Sequence, residues 1–394
     1  MTRTLLTGGA VFEPASGRVE QAEVLLQGDR ILAVGTGLDG DTAVDCAGGL
    51  LLPGFLDCHV HLCLGASLGQ PGDRPRSTRP LSAVPALRTL LAQGITTVRD
   101  AWGADAGLPL ALARGWFEGP DVLVSLRQVC TTGGLGDHWS ARYGPVDGFG
   151  DPGLPDPVFD GPDQARAVVR RMVRAGADWI KVTATGSLTL GRGVHDVQLT
   201  EAEMTALVDE AARQGGRGVM VHAHGARAAE LAARAGARSV EHGTFLDEAA
   251  VAAMAASGTW LVPTLSTSHG GEASPHAADH RRAVRLAHAA GVPIAMGTDA
   301  PERPYAEALR EIHYLAEAGL GPAGALRAAT LDAARLLGLA ADRGEIAPGK
   351  RADLVLLAGA ELATDALADR VRAVWHHGRR VVGPATPEVA RPVF

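Results

Sequence analysis

The chain has 394 residues, of which 46% are hydrophobic and 21% charged, and a net charge of −7. This length suits one large domain with an accessory piece, and the hydrophobic share is enough for a sizeable core. The acidic balance, with no Lys/Arg-rich run, excludes a nucleic-acid partner from the expectations.

Residues 1–53 read as short strands and turns, with a strand over 22–27, a turn at Gly28-Asp29 and a second strand over 31–35. From 54 to 343, apolar runs alternate with Ala/Arg-rich helical stretches. Strands are expected over 55–61, 95–99, 122–126, 179–183, 219–222, 239–242, 260–263 and 294–297. Helices are expected over 163–174, 201–213, 226–235 and 247–256, and Thr200 opens the second with a capping-box pattern. Eight βα units in this length predict an α/β fold, a (β/α)8 TIM-like barrel. A doubly wound open sheet is the alternative, but it usually has fewer strands.

Residues 344–394 return to strands at 353–357, 371–376 and 380–382, with a turn at His377-Gly378. The two β-rich ends predict a small β-sandwich domain built from 1–53 and 344–394, flanking the barrel of 54–343. Two connections, 64–80 and 131–161, are long and rich in Gly, Pro and Asp. Loops that follow barrel strands lie at the catalytic face, so both are expected to cover substrate.

No stretch reaches the roughly 18 apolar residues of a membrane span, and residues 1–10 lack an apolar leader core. Cys46, Cys58, Cys63 and Cys130 form no CxxC pair and are too few for a disulfide framework. They read as reduced thiols of a cytoplasmic protein. A homo-oligomer is compatible with this composition.

The sharpest local signal is Asp57-Cys-His59-Val-His61. Side chains two apart on a strand share a face, about 6.6 Å apart, so the two imidazoles can converge on one metal. Taken alone, the pair is a weak motif, and the bland reading of two polar residues ending a strand outweighs it. Three more strand ends add weight. His222, His242 and Asp299 each close an apolar run, which is the active-site end of a parallel barrel. Histidine and carboxylate ligands suit zinc and other borderline divalent ions. Ser266 and Ser268 lie near His269, but no Gly-x-Ser-x-Gly elbow accompanies them. No G-x-G-x-x-G opens the first βα unit, so a dinucleotide is not expected.

Lysine is nearly absent. Of 37 basic residues, only Lys181 and Lys350 are lysines. Lys350 lies in a Pro-Gly turn. Lys181 interrupts the apolar run Trp179-Ile-Lys-Val, where a charge is costly unless paired or modified. The plain alternative is a snorkelling strand lysine.

Taken together, these motifs resemble the amidohydrolase superfamily over nearly the whole chain. The resemblance rests on Leu52-Pro-Gly-Phe-Leu-Asp-Cys-His-Val-His, Gly94-Ile-Thr-Thr-Val-Arg-Asp, Gly176-Ala-Asp-Trp-Ile-Lys, Val221-His-Ala-His, Val240-Glu-His-Gly-Thr and Gly297-Thr-Asp-Ala, in that order. Within it, the chain looks most like the branch of imidazolonepropionase-like proteins and Xaa-Pro or Xaa-Arg dipeptidases. The resemblance implies two divalent metal ions, most simply zinc. His59, His61 and Asp299 would hold one, and His222 and His242 the other. Lys181, carboxylated by CO2, would bridge them, and Asp299 would double as general acid/base while a metal-bridging hydroxide attacks.

The implied substrate is a small molecule with an amide bond, such as a dipeptide or N-acyl amino acid. The alternatives on the same scaffold are a cyclic-amide hydrolase, a deaminase, and a lactonase or phosphotriesterase. Mononuclear deaminases typically carry Glu where Gly225 stands. His224, His138, Tyr143 and Arg192 are the candidate substrate contacts, with His195 a weaker one. Leu135 departs from the pattern, since relatives often carry His there. His269, His276, His280, His288, His313, His376 and His377 are expected on loops or helix surfaces.

Overall fold

A computed structural model describes residues 2–64, 75, 77–142, 144–145, 154–188, 193–269 and 274–383. Its central part holds two parallel sheets. One orders Asp121–Val124, Ile95–Asp100 and Phe55–Val60. The other orders Gln128–Val129, Ile180–Thr183, Val219–Gly225, Ser239–Phe245 and Trp260–Val262. The strands are buried almost throughout and rich in Val, Ile and Leu, as parallel strands covered on both faces must be.

The first seven expected strands are present, but the ladder is not one continuous ring. The third strand divides. Asp121–Val124 pairs with Ile95–Asp100, whereas Gln128–Val129 pairs with Ile180–Thr183. Between them Leu126 takes a left-handed φ of 67°, which a branched side chain adopts only when its surroundings hold it there. The eighth expected strand, 294–297, is not a strand. It makes one parallel bridge, Leu261 with Ile294, and Ala300 bridges Val60. Its backbone nonetheless touches both sheets. The Ala295 N–H donates to the Leu261 carbonyl at 3.0 Å, and the Cys58 N–H donates to the Met296 carbonyl at 2.9 Å.

Helices pack outside the strands on apolar stripes. In Pro162–Arg174 the buried residues are Ala165, Val168, Val169 and Met172, the spacing of one helical face. Glu201–Arg213 opens with the expected capping box. The Glu203 N–H donates to Thr200 Oγ1 at 3.3 Å, and Glu203 Oε2 accepts from the Thr200 N–H at 2.8 Å. Asp247 caps Glu248–Ser257 by accepting from the Ala250 N–H at 2.9 Å.

The chain ends build two further sheets. A six-stranded sheet orders Arg379–Val382, Val371–His376, Leu354–Leu357, Leu50–Pro53, Ala10–Glu13 and Arg18–Gln21. A four-stranded sheet orders Arg30–Gly35, Glu23–Gln27, Arg3–Thr7 and Thr42–Asp45. Leu50–Pro53 runs antiparallel to Leu354–Leu357, so both ends of the sequence share one sheet. The two sheets pack through Leu6, Val24, Leu26, Ile31, Leu51, Leu354, Leu356 and Trp375. All four cysteines are free and buried. Among the described residues, no helix is long and apolar enough to cross a membrane.

Candidate active site

The strand ends converge. His59, His61, Lys181, His222, His224, His242 and Asp299 line one cavity, together with Leu64, Trp102, Leu135, Pro301 and Glu302. Register explains the convergence. Thr183 pairs with His222 and Ala223 with His242 across adjacent parallel strands. The Asp299 N–H donates to the His59 carbonyl at 2.7 Å, which places its carboxylate beside the first-strand histidines. Asp299 Oδ1 stands 2.9 Å from His61 Nε2 and 3.3 Å from His59 Nε2. Lys181 Nζ lies 3.3 Å from His59 Nε2.

Hydrogen bonds behind the rings fix which nitrogen faces inward. His61 Nδ1–H donates to the Trp102 carbonyl at 3.1 Å, and His222 Nε2–H donates to the Gly186 carbonyl at 3.1 Å. His59 Nδ1–H donates to Glu241 at 2.7 Å. In His222 this leaves Nδ1 with a lone pair, the form in which imidazole binds a metal, whereas His59 and His61 turn Nε2 to Asp299 Oδ1. His242 Nδ1 bonds Thr264 Oγ1 at 2.8 Å, and His224 Nδ1 bonds Thr244 Oγ1 at 2.9 Å. His59, His242 and Asp299 offer ligand atoms within 4.8 Å of one another, and so do His222, His224 and His242.

Burial sets the charge states. It pushes His222 down to about 3 and holds His242 and His224 well below the ordinary imidazole value, so these rings are neutral and ligand-competent. Burial also lowers Lys181, to about 8, against the pull of Glu241 and Asp299. For Asp299, burial acts to raise the pKa. The charges and hydrogen bonds of His59 and His61 outweigh it and keep the carboxyl well below the usual range. In His61, burial works downward, but Asp299 reverses the sign and raises it.

The amidohydrolase family profile matches residues 50–381. The chain belongs to the amidohydrolase family. It is 30% identical over 371 residues to ochratoxinase of Aspergillus niger, covering 85% of this chain and 76% of that one. It is 29% identical over 387 residues to imidazolonepropionase of Paracoccus denitrificans, covering 86% and 88%. A prolidase complexed with N-methylphosphonate-L-proline superposes with a TM-score of 0.86 at 33% identity, over 97% of this chain and all of that one. A Xaa-Pro dipeptidase with methionine bound in its active site gives 0.86 at 28% identity, over the same shares. These solved relatives place the two parallel sheets and the flanking sheets in the class of a TIM barrel with a small β domain. The amidohydrolase is an enzyme, a hydrolase of a generally metal-dependent family.

Some expectations need adjustment. His224 does line the amidohydrolase cavity, stacked 4.8 Å from His242. His138 is not among the residues lining it; its ring stacks on Trp102 at 5.9 Å, and Trp102 meets His61 edge-on at 6.1 Å. His195 packs against Phe245. Tyr143 and Arg192 lie outside the described residues, as do parts of 64–80 and 131–161. His280, expected on a helix surface, is fully buried. It bridges Ser268 Oγ at 2.8 Å and the His242 carbonyl at 3.0 Å, behind the cavity.

Sequence reading also missed the support beneath His59. Glu241 accepts from Arg99 at 3.1 Å on both oxygens and from Ser239 Oγ at 2.5 Å, while Arg99 donates to the Cys58 carbonyl at 2.6 Å and lies over Trp179. Burial would raise Glu241, but Arg99 and His59 hold it down at about 2. A signal was available. Ser239 and Glu241, like Thr97 and Arg99, are polar at period two within apolar strands. That is the mark of a polar interior face.

Proposed function

We propose that this chain hydrolyses the amide bond of a small substrate, a dipeptide or N-acyl amino acid. The observation that carries the reading is the meeting of His59, His61, Lys181, His222, His242 and Asp299 at one cavity. We read the two parallel sheets and the 293–300 segment as one (β/α)8 barrel over 54–343, with 1–53 and 344–394 as the β-sandwich.

The donor set fits a pair of divalent cations. His59, His61 and Asp299 would hold one, and His222 and His242 the other. The neutral buried rings of His222 and His242 and the Asp299 carboxylate between His59 and His61 support this assignment, and nitrogen with carboxylate donors suits zinc. Two such ions would supply Lewis acidity, polarising a carbonyl and acidifying a water. Lys181 would bridge them as a carbamate. Its Nζ attacks CO2, forming the N–C bond and releasing one proton. Burial favours the neutral amine this step needs, and the carbamate returns a negative charge to a site crowded with imidazoles. Asp299, whose Oδ1 lies beside His61 and His59, would take a proton from the attacking water and return it to the leaving nitrogen.

Glu302 lines the same cavity. Burial and Asp299 raise its pKa, so a cationic substrate group would relieve its cost there. A free α-ammonium answers that description, which favours dipeptides within the proposed class. The deaminase alternative has a steric argument against it. A Cβ at Gly225 would stand 2.9 Å from the Val194 carbonyl oxygen, so no acidic side chain fits without moving backbone.

The test is a substrate panel with zinc-loaded protein. Dipeptides should be cleaved faster than N-acyl amino acids, and chelation should abolish both activities. A panel in which neither class is hydrolysed, or chelation without effect, would sink the proposal.

A further inference from the structure

A second cluster of ligand-type residues lies away from the cavity. Asp121 is the first residue of its parallel strand, so it sits at the sheet end opposite the active-site end. His376 closes the strand Val371–His376 and His377 follows it. His377 Nε2 stands 3.2 Å from Asp121 Oδ2, and His376 Nε2 stands 3.7 Å from Oδ1. The three ligand atoms lie within 4.8 Å of one another.

Adjacent strand residues normally point to opposite faces. Here His377 leaves the strand with a left-handed φ of 52°, and the two rings come to 3.9 Å between centroids. In a tetrahedral site with bonds of about 2.0–2.1 Å, ligand atoms stand roughly 3.3 Å apart. The observed 3.2 and 3.7 Å bracket that value. His376 Nε2 is buried and makes no hydrogen bond, because 3.7 Å is too long for one. An incoming cation would give it a partner.

The surrounding charges are also compatible. Asp353 stands behind, its Oδ1 accepting from the His377 N–H at 2.8 Å. Arg343 Nη1 donates to Asp121 at 2.7 Å and lies 3.8 Å from Asp353. One guanidinium thus offsets one of two carboxylates and leaves a net negative charge. Arg379 and Glu118 line the adjoining groove and pair with each other at 3.7 Å. Asp121 and His377 are each more than a third exposed on that side, so an ion has a path in. Burial, with His377 second, pushes His376 down to about 4, which keeps that ring unprotonated.

We propose that Asp121, His376 and His377 form a binding site for a borderline divalent cation of the zinc class. The ion would clamp the six-stranded sheet to the parallel sheet from which Asp121 comes. This site is independent of the catalytic reading, and its test needs no substrate.

The experiment is elemental analysis of wild type, His376→Gln and His377→Asn after dialysis against micromolar zinc. Asparagine is chosen at 377 because it tolerates left-handed backbone. Wild type should retain one zinc per chain more than either variant. Equal zinc in all three would overturn the proposal. Should the variants not fold, anomalous scattering from zinc-soaked wild-type crystals decides the matter. A peak bonded to both Nε2 atoms supports the site, and no peak there at saturating zinc removes it.

Discussion

At the residue scale, the least replaceable groups are buried ionisable side chains packed among other ionisable groups. Lys181 is one. Its amine is almost fully buried and lies 3.3 Å from His59 Nε2, in the field of Glu241 and Asp299. The proposed carbamate would give that position two oxygens and a negative charge. Lys181→Ala should therefore lose metal and lower hydrolysis by orders of magnitude, with partial rescue by short carboxylic acids. Full activity without added acid would remove the bridge. Glu241 is another. It is fully buried between Arg99 and His59. Glu241→Gln leaves the Arg99 charge unpaired in the interior, which typically costs about 3–5 kcal/mol. Denaturant unfolding of the variant measures this, and a loss below about 1 kcal/mol would show that water compensates Arg99.

At the element scale, local sequence rules hold where an element's ends are set by its own residues. Thr200 and Glu203 satisfy each other's backbone donors at the start of Glu201–Arg213. Thr200→Ala should cost about 1 kcal/mol, in the usual range for such caps, read as a lower unfolding midpoint with unchanged denaturant slope. The same rules fall short at 122–126 and 294–297. Apolar runs there predict two uninterrupted strands. The ladder of the first ends at Val124, ahead of the left-handed Leu126, and the second makes a single bridge, Ile294 with Leu261. A third-strand break is not coded by Gly or Pro at that position. On either side of it the chain pairs with a different strand, Ile95–Asp100 before and Ile180–Thr183 after, and no local window contains either partner. His242, Thr264 and Asp299 are likewise left-handed, with φ of 72°, 53° and 58°. Such strain clusters at functional sites; His242 and Asp299 line the cavity, and Thr264 Oγ1 bonds His242 Nδ1.

At the scale of the whole molecule, stability rests partly on a charged junction between the C-terminal segment and the rest of the chain. Asp342 accepts from Arg30 at 2.5 Å, Arg351 at 2.9 Å and Arg343 at 3.1 Å. Burial would raise its pKa, but the three guanidiniums hold it well below the ordinary 3.8. A carboxylate depressed in the folded state contributes stability that is complete above its unfolded pKa and is lost as pH falls through the folded value. Wild type should therefore lose stability on acidification below about pH 4. Asp342→Asn should be less stable at neutrality and show a flatter acid limb in thermal melts at stepped pH. Parallel acid limbs would show that other groups dominate.

The sequence by itself determined the family, a parallel α/β middle between two β-rich ends, most strand and helix positions, and the histidines and carboxylate at strand ends. It could do so because those features are local: period-two and period-3.6 burial, caps, and polar residues closing apolar runs. Lys181 was legible for a compositional reason, since almost every other basic residue is arginine. Tertiary structure alone decided the rest. It set the split of the parallel strands into two sheets, the nitrogen each histidine turns inward, and the Arg99–Glu241 support under His59. It also moved His280 from a surface to the back of the cavity and brought Asp121 to His376 and His377. Each of these depends on groups far apart in the chain sharing one low-dielectric space, where an unpaired polar atom is expensive. Pairing decides the outcome there, and pairing is a property of three-dimensional neighbours.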